Sequence, residues 1–464
     1  MATYNGTNSA DFLPLFGFDL DPGVADTFNG FAGNDTINAF NTNDTINPGS
    51  GSDTTNAGAG NDRVIDDDFV NFDNHNGGSG TDTIDYSSIT FADGVVTINL
   101  ATGVTSVNIP SGGNTEIISN FENVQGSQGG ETIIGSSANN VLNGNGGNDT
   151  INGGSGNDTI NGGSGNDRIN GGSGNDSLLG GTGNDTFIAS QGNDNINGGD
   201  GFDTADYSQL NQSITLSGVG TVQKGGGLGQ DQLFRVERVV ANAAVANNTI
   251  DASASLPGVS ITVNLATQSL TANNVPFLGT LSFTAVNFDN VIGTNANDNI
   301  VGDGQDNRLV GGNGNDNISG GAGNDTLRGE NGNDNIIGGA GSDRITGGNG
   351  TDVLTGGTGN DVFNYDSVSE SQPGVLRDVI NDFVGNGFGL GDQLDLSDID
   401  ANPFLAGNQA FTFGGAFALG TLRYVGGVLQ GNTDFDAAAE FEVRLVGAPA
   451  LFVAAGNPGS DIIL

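Results

Sequence analysis

Residues 144–197 read GNGGNDTINGGSGNDTINGGSGNDRINGGSGNDSLLGGTGNDTFIASQGNDNIN. Within them Asp149, Asp158, Asp167, Asp176, Asp185 and Asp194 recur every nine residues without a slip. A glycine-rich run precedes each Asp, and a large apolar residue follows it two positions on: Ile151, Ile160, Ile169, Leu178, Phe187 and Ile196. Glycine supplies the positive φ of a tight turn. The triplet centred on the apolar residue is a very short strand with one side chain facing inward. A single unit cannot bury that side chain, whereas stacked units bury a continuous ribbon, so the period specifies an all-β solenoid. A flexible Gly/Asn/Ser linker keeps neither the phase nor the apolar residue inside it.

The same phase fills three blocks. Array I covers 21–85, with Asp26, Asp35, Asp44, Asp53 and Asp62 in register, an insert at 66–76, and one more repeat carrying Asp82. Array II covers 126–206; it has Glu131 and Asn140 at the Asp position, then Asp149 through Asp194 and Asp203. Array III covers 293–364, with Asp298, Asn307, Asp316, Asp325, Asp334, Asp343, Asp352 and Asp361. The unit Gly-Gly-x-Gly-x-Asp-x-U-x, with U apolar, resembles the RTX nonapeptide repeat of hemolysin-type proteins. That resemblance implies a parallel β-roll with two nonapeptides per turn, and calcium held between turns by one Asp and turn carbonyls from each side. Asp149, Asp167, Asp185 and Asp203 then stack along one edge, and Asp158, Asp176 and Asp194 along the other. Glu131, Asn140 and Asn307 depart from the motif, so little metal is expected there, and Asn140→Ala is expected to matter little.

Turns of a roll lie about 4.8 Å apart. Bare carboxylates at that spacing repel by about 3–4 kcal/mol at an effective dielectric of 20. Summed along a column, this exceeds the ~5–15 kcal/mol stability of an ordinary domain, so closure requires cations. Carboxylates and turn carbonyls are hard oxygen ligands suited to calcium. The expected ligands are Asp35, Asp44, Asp53, Asp62 and Asp82 in array I, the seven Asp residues from Asp149 to Asp203 in array II, and Asp298, Asp316, Asp325, Asp334, Asp343, Asp352 and Asp361 in array III. Pairing each loop with the loop one turn on offers about 16 sites for Ca2+. Such loading offsets most of the formal net charge of −43. That charge makes nucleic acid and anionic membrane poor partners.

There is no cysteine; calcium can replace disulfides as the staple of an extracellular protein. No apolar run has the length of a transmembrane segment. Residues 1–10 lack the basic and apolar regions of a Sec signal. From Asn360 the chain reads NDVFNYDSVSES, then has Arg377, Asp378, Ile380, Asp382 and Phe383, then GDQLDLSDID ending at Asp400. This resembles the C-terminal domain of serralysin-type proteases, over about 293–464. Within it Ser460-Asp461-Ile462-Ile463-Leu464 resembles an uncleaved type I secretion signal; the plainer reading is a last strand packed on the domain, and both can hold. Secretion to the cell surface or medium is therefore expected, with residues 365–464 forming a serralysin-like domain.

Two spacers, 86–125 and 207–292, separate the arrays and echo each other. GVVTINLAT from Gly94 returns as GVSITVNLAT from Gly258, and Phe121-Glu122-Asn123-Val124 as Phe288-Asp289-Asn290-Val291. Their apolar–polar alternation predicts β rungs that continue the stack. Asp85-Tyr86-Ser87 and Asp206-Tyr207-Ser208 open them. Residues 1–20 hold Phe12, Leu13, Leu15, Phe16, Phe18 and Leu20, an apolar cap for the raw end of a roll.

No catalytic constellation stands out. The single histidine, His75, excludes a His-Glu-x-x-His zinc site and reads as a surface loop residue. Gly-x-Ser-x-Gly is missing. Paired carboxylates for glycoside chemistry are indistinct among so many Asp. Asp66-Asp67-Asp68 reads as a solvated loop, with an extra ion site as the alternative. The expectation is a secreted, non-catalytic calcium-binding β-roll protein of a surface layer, matrix or filament. Competing readings are an extracellular enzyme acting on polysaccharide and a carbohydrate- or ice-binding module. Self-association through sheet-like ends is expected, and the Thr- and Asn-rich outer face makes cell-surface polysaccharide a further expected partner.

Overall fold

Each array repeat forms a strand of the kind its period specifies. In the computed structural model, which describes residues 3–13, 24–67, 69, 71–90, 95–109, 112–218, 220–385, 391–405, 408–447, 449–453 and 460–464, these strands stack in parallel, one turn upon the next. Among the described residues the only helical segments are two short 3-10 turns, Gly225–Gly227 and Gly374–Leu376. The chain divides into two units: Met1–Gln212 with Val219–Val240, and Ser213–Gly218 with Ala241–Leu464.

In the first unit, Thr150–Asn152, Arg168–Asn170, Thr186–Ile188 and Thr204–Asp206 run parallel on one sheet, with Ile151 opposite Ile169, and Ile169 opposite Phe187. Val141–Asn143, Thr159–Ser164, Ser177–Thr182 and Asn195–Asp200 do the same on the other. Every partner is 18 residues away, so two nonapeptides make one turn. The six apolar residues from Ile151 to Ile196 are buried, and their neighbours in the triplets face outward or lie at the margin. Gly165, at φ +128°, shows why the turn is intolerant of side chains. A Cβ there would come within 3.0 Å of the Gly147 carbonyl one turn below.

The first spacer enters this stack by a device the alternation did not specify. Gly112–Ser119 pairs in parallel with Asn74–Asn76. Val104–Ile109 and Val95–Asn99 follow it antiparallel, and Val95–Asn99 then pairs in parallel with Glu131–Ile134. The opposite sheet stays parallel throughout, through Thr83–Asp85, Asn123–Gln125 and Val141–Asn143. At the N-terminus, Thr3–Asn5 pairs with Thr27–Asn29, and Phe12–Leu13 with Thr36–Asn38. Leu13 is buried; Leu15, Phe16, Phe18 and Leu20 of the apolar segment lie outside the described residues.

Two expectations are corrected here. His75 is not a surface residue: it is fully buried in Asn74–Asn76, with Nδ1 2.9 Å from Thr55 Oγ1 and Nε2 3.3 Å from Asp66 Oδ2. The cause is phase. Asp53 N–H donates to Asp73 Oδ1 at 2.6 Å, so Asp73 stands at the array position and His75 at the inward U position two residues on. Asp66 is likewise buried rather than solvated, whereas Asp67 is exposed and Asp68 lies outside the described residues.

The second unit repeats these devices. Arg308–Asn313, Thr326–Asn331, Arg344–Asn349 and Val362–Asn364 form one parallel sheet. Asn299–Val301, Asn317–Ala322, Asn335–Ala340 and Val353–Thr358 form the other. Its spacer again carries three antiparallel strands, Ser260–Asn264, Ser269–Val275 and Gly279–Val286, the first of which is parallel to Asn299–Val301. Beyond array III, Asp378–Ile380 and Phe441–Leu445 extend one sheet, and Gln393–Asp395 and Ile462–Ile463 the other.

Candidate metal centre

The strand register brings the array carboxylates into columns. Along one edge of the first unit, Asp149 N–H donates to Asp167 Oδ1, Asp167 N–H to Asp185 Oδ1, and Asp185 N–H to Asp203 Oδ1, each at 2.8 Å. Glu131 joins below through Asp149, and Asp11, Asp35, Asp53 and Asp73 form the same chain in array I. Along the other edge, Asp26, Asp44, Asp62 and Asp82 are linked in this way, as are Asn140, Asp158, Asp176 and Asp194. In the second unit the chains are Asp298, Asp316, Asp334, Asp352, and Asn307, Asp325, Asp343, Asp361.

One oxygen of each carboxylate is thus satisfied by a backbone amide from the previous turn. The other is not. Oδ2 is buried without a hydrogen-bond partner in Asp35, Asp53, Asp62, Asp82, Asp149, Asp158, Asp167, Asp176, Asp185, Asp203, Asp316, Asp325, Asp334, Asp343, Asp352 and Asp361. Buried polar atoms are nearly always paired, so a repeated orphan points to a missing partner. Except at Asp53 and Asp62, whose repeats open with Pro48 and Ala57, each orphan faces a hollow over the first glycine of its own repeat. A Cβ on Gly162 would come within 3.0 Å of both Asp167 Oδ2 and the Gly180 carbonyl of the next turn; Gly144, Gly153, Gly180, Gly320 and Gly338 repeat the arrangement with their own Asp. Carboxylate and peptide oxygens lining such hollows suit a hard dication.

The electrostatics agree. Burial, the first cause, pushes the carboxyls of Asp53, Asp62, Asp316 and Asp352 up to about 7 and that of Asp149 to about 8; neighbouring carboxylates add to the rise, and the amide from the previous turn offsets part of it.

The columns contain members that the nine-residue count missed. Glu122 accepts the Asp82 amide, Glu237 the Asp203 amide, Asp231 the Asp194 amide, and Asp289 the Asn248 amide. Asp378 and Asp392 continue the array III columns beyond Asp352 and Asp361. The signal for them is short: an acid, one residue, then an inward apolar residue, as in Glu122-Asn123-Val124, Asp231-Gln232-Leu233 and Asp378-Val379-Ile380. A second ladder also went unread. Asn166 N–H bonds Asn148 Oδ1 and Asn184 N–H bonds Asn166 Oδ1, both at 2.7 Å, so where an Asn precedes the Asp it stitches the turns in the opposite sense.

At Asp298, Asn307 and Asn140 the array side chain leaves no orphan oxygen. Asp298 Oδ2 accepts from Thr294 N and Oγ1. Asn307 Nδ2 donates to the Asp289 carbonyl at 2.8 Å. Asn140 Nδ2 donates to the Glu122 carbonyl at 2.6 Å, and Asn140 Oδ1 accepts from Ser136 N at 2.7 Å. In both Asn residues Oδ1 lies over the glycine hollow and is partnered there, and NH2 faces a carbonyl of the turn below, where an Asp presents the oxygen that accepts that turn's amide. Asn140→Ala strips partners from buried groups and is expected to cost about 1–3 kcal/mol in a denaturant titration, contrary to the reading from sequence; an unchanged midpoint would show the amide to be dispensable.

Parallel turns of 18 residues with stacked, half-satisfied carboxylates define a calcium-binding β-roll. The profile of the RTX calcium-binding nonapeptide repeat matches residues 24–55, 125–160, 144–178, 153–187, 170–205, 292–327 and 328–363. The chain belongs to the proteins built from RTX calcium-binding nonapeptide repeats. Among solved structures, it is similar to the AlgE6R3 subunit of the Azotobacter vinelandii mannuronan C5-epimerase, with 25% identity over 33% of this chain and 72% of that one and a TM-score of 0.21. For the AlgE6R2 subunit the identity is 32%, over 32% and 83%, with a TM-score of 0.19. For the extracellular lipase LipA of Serratia marcescens it is 18%, over 74% and 41%, with a TM-score of 0.17. No curated protein matches the chain. Among the described residues no helix is long and apolar enough to cross a membrane.

Proposed function

We propose that the chain is an exported, non-catalytic protein whose work is structural, and that calcium at the array carboxylates sets its fold. The carrying observation is the row of buried, unpartnered Oδ2 atoms, most of them over a glycine hollow that a carbonyl of the next turn also lines. Asp35, Asp53, Asp62 and Asp82, six array II residues from Asp149 to Asp203 without Asp194, and Asp316, Asp325, Asp334, Asp343, Asp352 and Asp361 would hold the ions. Asp298 and Asp44 are less open, since Asp298 Oδ2 accepts from Thr294 and Asp44 Oδ1 accepts from Thr42 Oγ1 as well as from the Asp26 amide. Bound calcium would supply the positive charge that lets successive carboxylates share an edge. Equilibrium dialysis with calcium tests this. Many ions per chain are expected, and a folded chain that binds none would end the proposal.

The non-catalytic part is supported by the setting of the single histidine, which is buried between Thr55 and Asp66 and offers no imidazole to a substrate at the surface. A component of a surface layer, matrix or filament is the favoured role. Export through a type I channel is supported by the serralysin resemblance of the C-terminal region. Removing residues 460–464, which also deletes the strand Ile462–Ile463, is expected to retain the protein inside a type I-competent host. Normal secretion of the shortened chain would refute that part alone.

A further inference from the structure

The column that carries Asp158 and Asp176 ends in a different way from its neighbours. Asp194 Oδ2 meets Lys224 Nζ at 3.3 Å, and the same ammonium reaches the Ser190 carbonyl at 2.7 Å and Asp231 Oδ1 at 2.6 Å. Lys224 is 1% exposed. A hairpin delivers it: Thr221–Lys224 pairs antiparallel with Gly229–Phe234, and Gly229–Phe234 pairs in parallel with Asn195–Asp200. Asp231 is the next carboxylate of the column, since the Asp194 amide donates to its Oδ1 at 3.2 Å. Ser190 stands four residues before Asp194, at the second glycine position of the repeat.

Three oxygens from three residues therefore surround one buried cation: a turn carbonyl, the carboxylate of that turn, and the carboxylate of the turn after. We propose that Ser190 O, Asp194 and Asp231 form a divalent-cation site of the same class as the array sites, and that Lys224 is a tethered cation that fills it. The inference rests on the reading that the array carboxylates take calcium. A lysine on a hairpin requires no ion from solution. This turn closes at any calcium concentration and gives the metal-dependent turns below it a preformed edge to stack on. Tyr207 completes the charge arrangement, its hydroxyl donating to Asp231 Oδ2 at 2.9 Å. Buried lysines are rare unless paired, and this one is paired to the donor set of a calcium site rather than to a single carboxylate.

Lys224→Ala keeps all three oxygens and empties the space between them. Terbium, read by emission sensitised through tyrosine, reports an ion there because Tyr207 bonds Asp231 directly. The variant is expected to bind one more ion per chain than the wild type and to show extra sensitised emission. Adding Tyr207→Phe to Lys224→Ala should remove that extra emission and leave the signal from other tyrosines. Calcium should restore the Lys224→Ala fold, whereas Lys224→Met, which fills the space without charge, should remain less stable than wild type at every calcium concentration. Equal emission from Lys224→Ala and wild type overturns the proposal. So does a Lys224→Ala chain that stays unfolded in calcium sufficient to fold the wild type. A wild type that takes up neither calcium nor terbium overturns the array reading instead.

Discussion

Chelated at pH 8, the protein is expected to lose most of its far-UV circular dichroism signal for β-structure; chelated at pH 5, it is expected to keep a substantial part. The array carboxyls are the reason. In the metal-free fold, burial first and neighbouring carboxylates second hold Asp53, Asp62, Asp316 and Asp352 at about 7 and Asp149 at about 8, against 3.8 for an unperturbed Asp. Between those values the folded chain binds more protons than the unfolded one, so stability falls as pH rises. At pH 5 these groups are mostly protonated in the fold and the columns repel little. At pH 8 most of them ionise, and each adjacent charged pair repels by about 3–4 kcal/mol at an effective dielectric of 20. With calcium the slope reverses over the same interval, because ions must displace those protons and bind more weakly below about pH 6. Identical spectra with and without chelator at pH 8 would refute the electrostatic account.

The arrays were legible because a strict period carries three facts at once: where the chain turns, which side chain is inward and which acid recurs. Ile169 opposite Ile151 and Asp167 above Asp149 follow from counting. What counting missed is set by partners far away in sequence. The antiparallel strands Val95–Asn99, Val104–Ile109 and Gly112–Ser119 alternate as any strand does, and alternation does not state the direction of pairing. His75 looked exposed because its neighbours are polar; only the insert that shifts Asp73 into register places it inward. Glu122 and Glu237 lack a glycine run before them and so fell outside the motif, although each still stands two residues before an inward valine. Lys224 has no repeat signature. Its meaning lies in Ser190, Asp194 and Asp231, which a hairpin brings to it. The period thus determines the stack, whereas the beginnings and ends of each column depend on single residues with no period.

One substitution should change sign with the metal. Asp167→Asn keeps an oxygen to accept the Asp149 amide, which lies 2.8 Å from Asp167 Oδ1 in the wild type. It removes the charge on an oxygen that is buried without a partner. In chelator at pH 8 the change relieves both the burial of that charge and its repulsion by Asp149 and Asp185, so Asp167→Asn is expected to stabilise by about 1–3 kcal/mol. In saturating calcium it deprives the ions on that edge of a charged ligand, and a cost of about 3–5 kcal/mol is expected, comparable with breaking a buried ion pair. Asn140 and Asn307 already show the metal-independent solution, an amide whose NH2 donates to a carbonyl one turn below. At Asp167→Asn that place is taken, because the Asp149 carbonyl already accepts the Arg168 amide at 2.7 Å, so the gain without metal comes from the lost charge alone. Asp167→Ala separates charge from hydrogen bonding, because it relieves the repulsion yet abandons the Asp149 amide; in chelator it should fall below Asp167→Asn. Paired urea titrations in calcium and in chelator read all three chains. If Asp167→Asn destabilises equally in both conditions, Asp167 acts through shape and hydrogen bonding alone, and its carboxylate is not a calcium ligand.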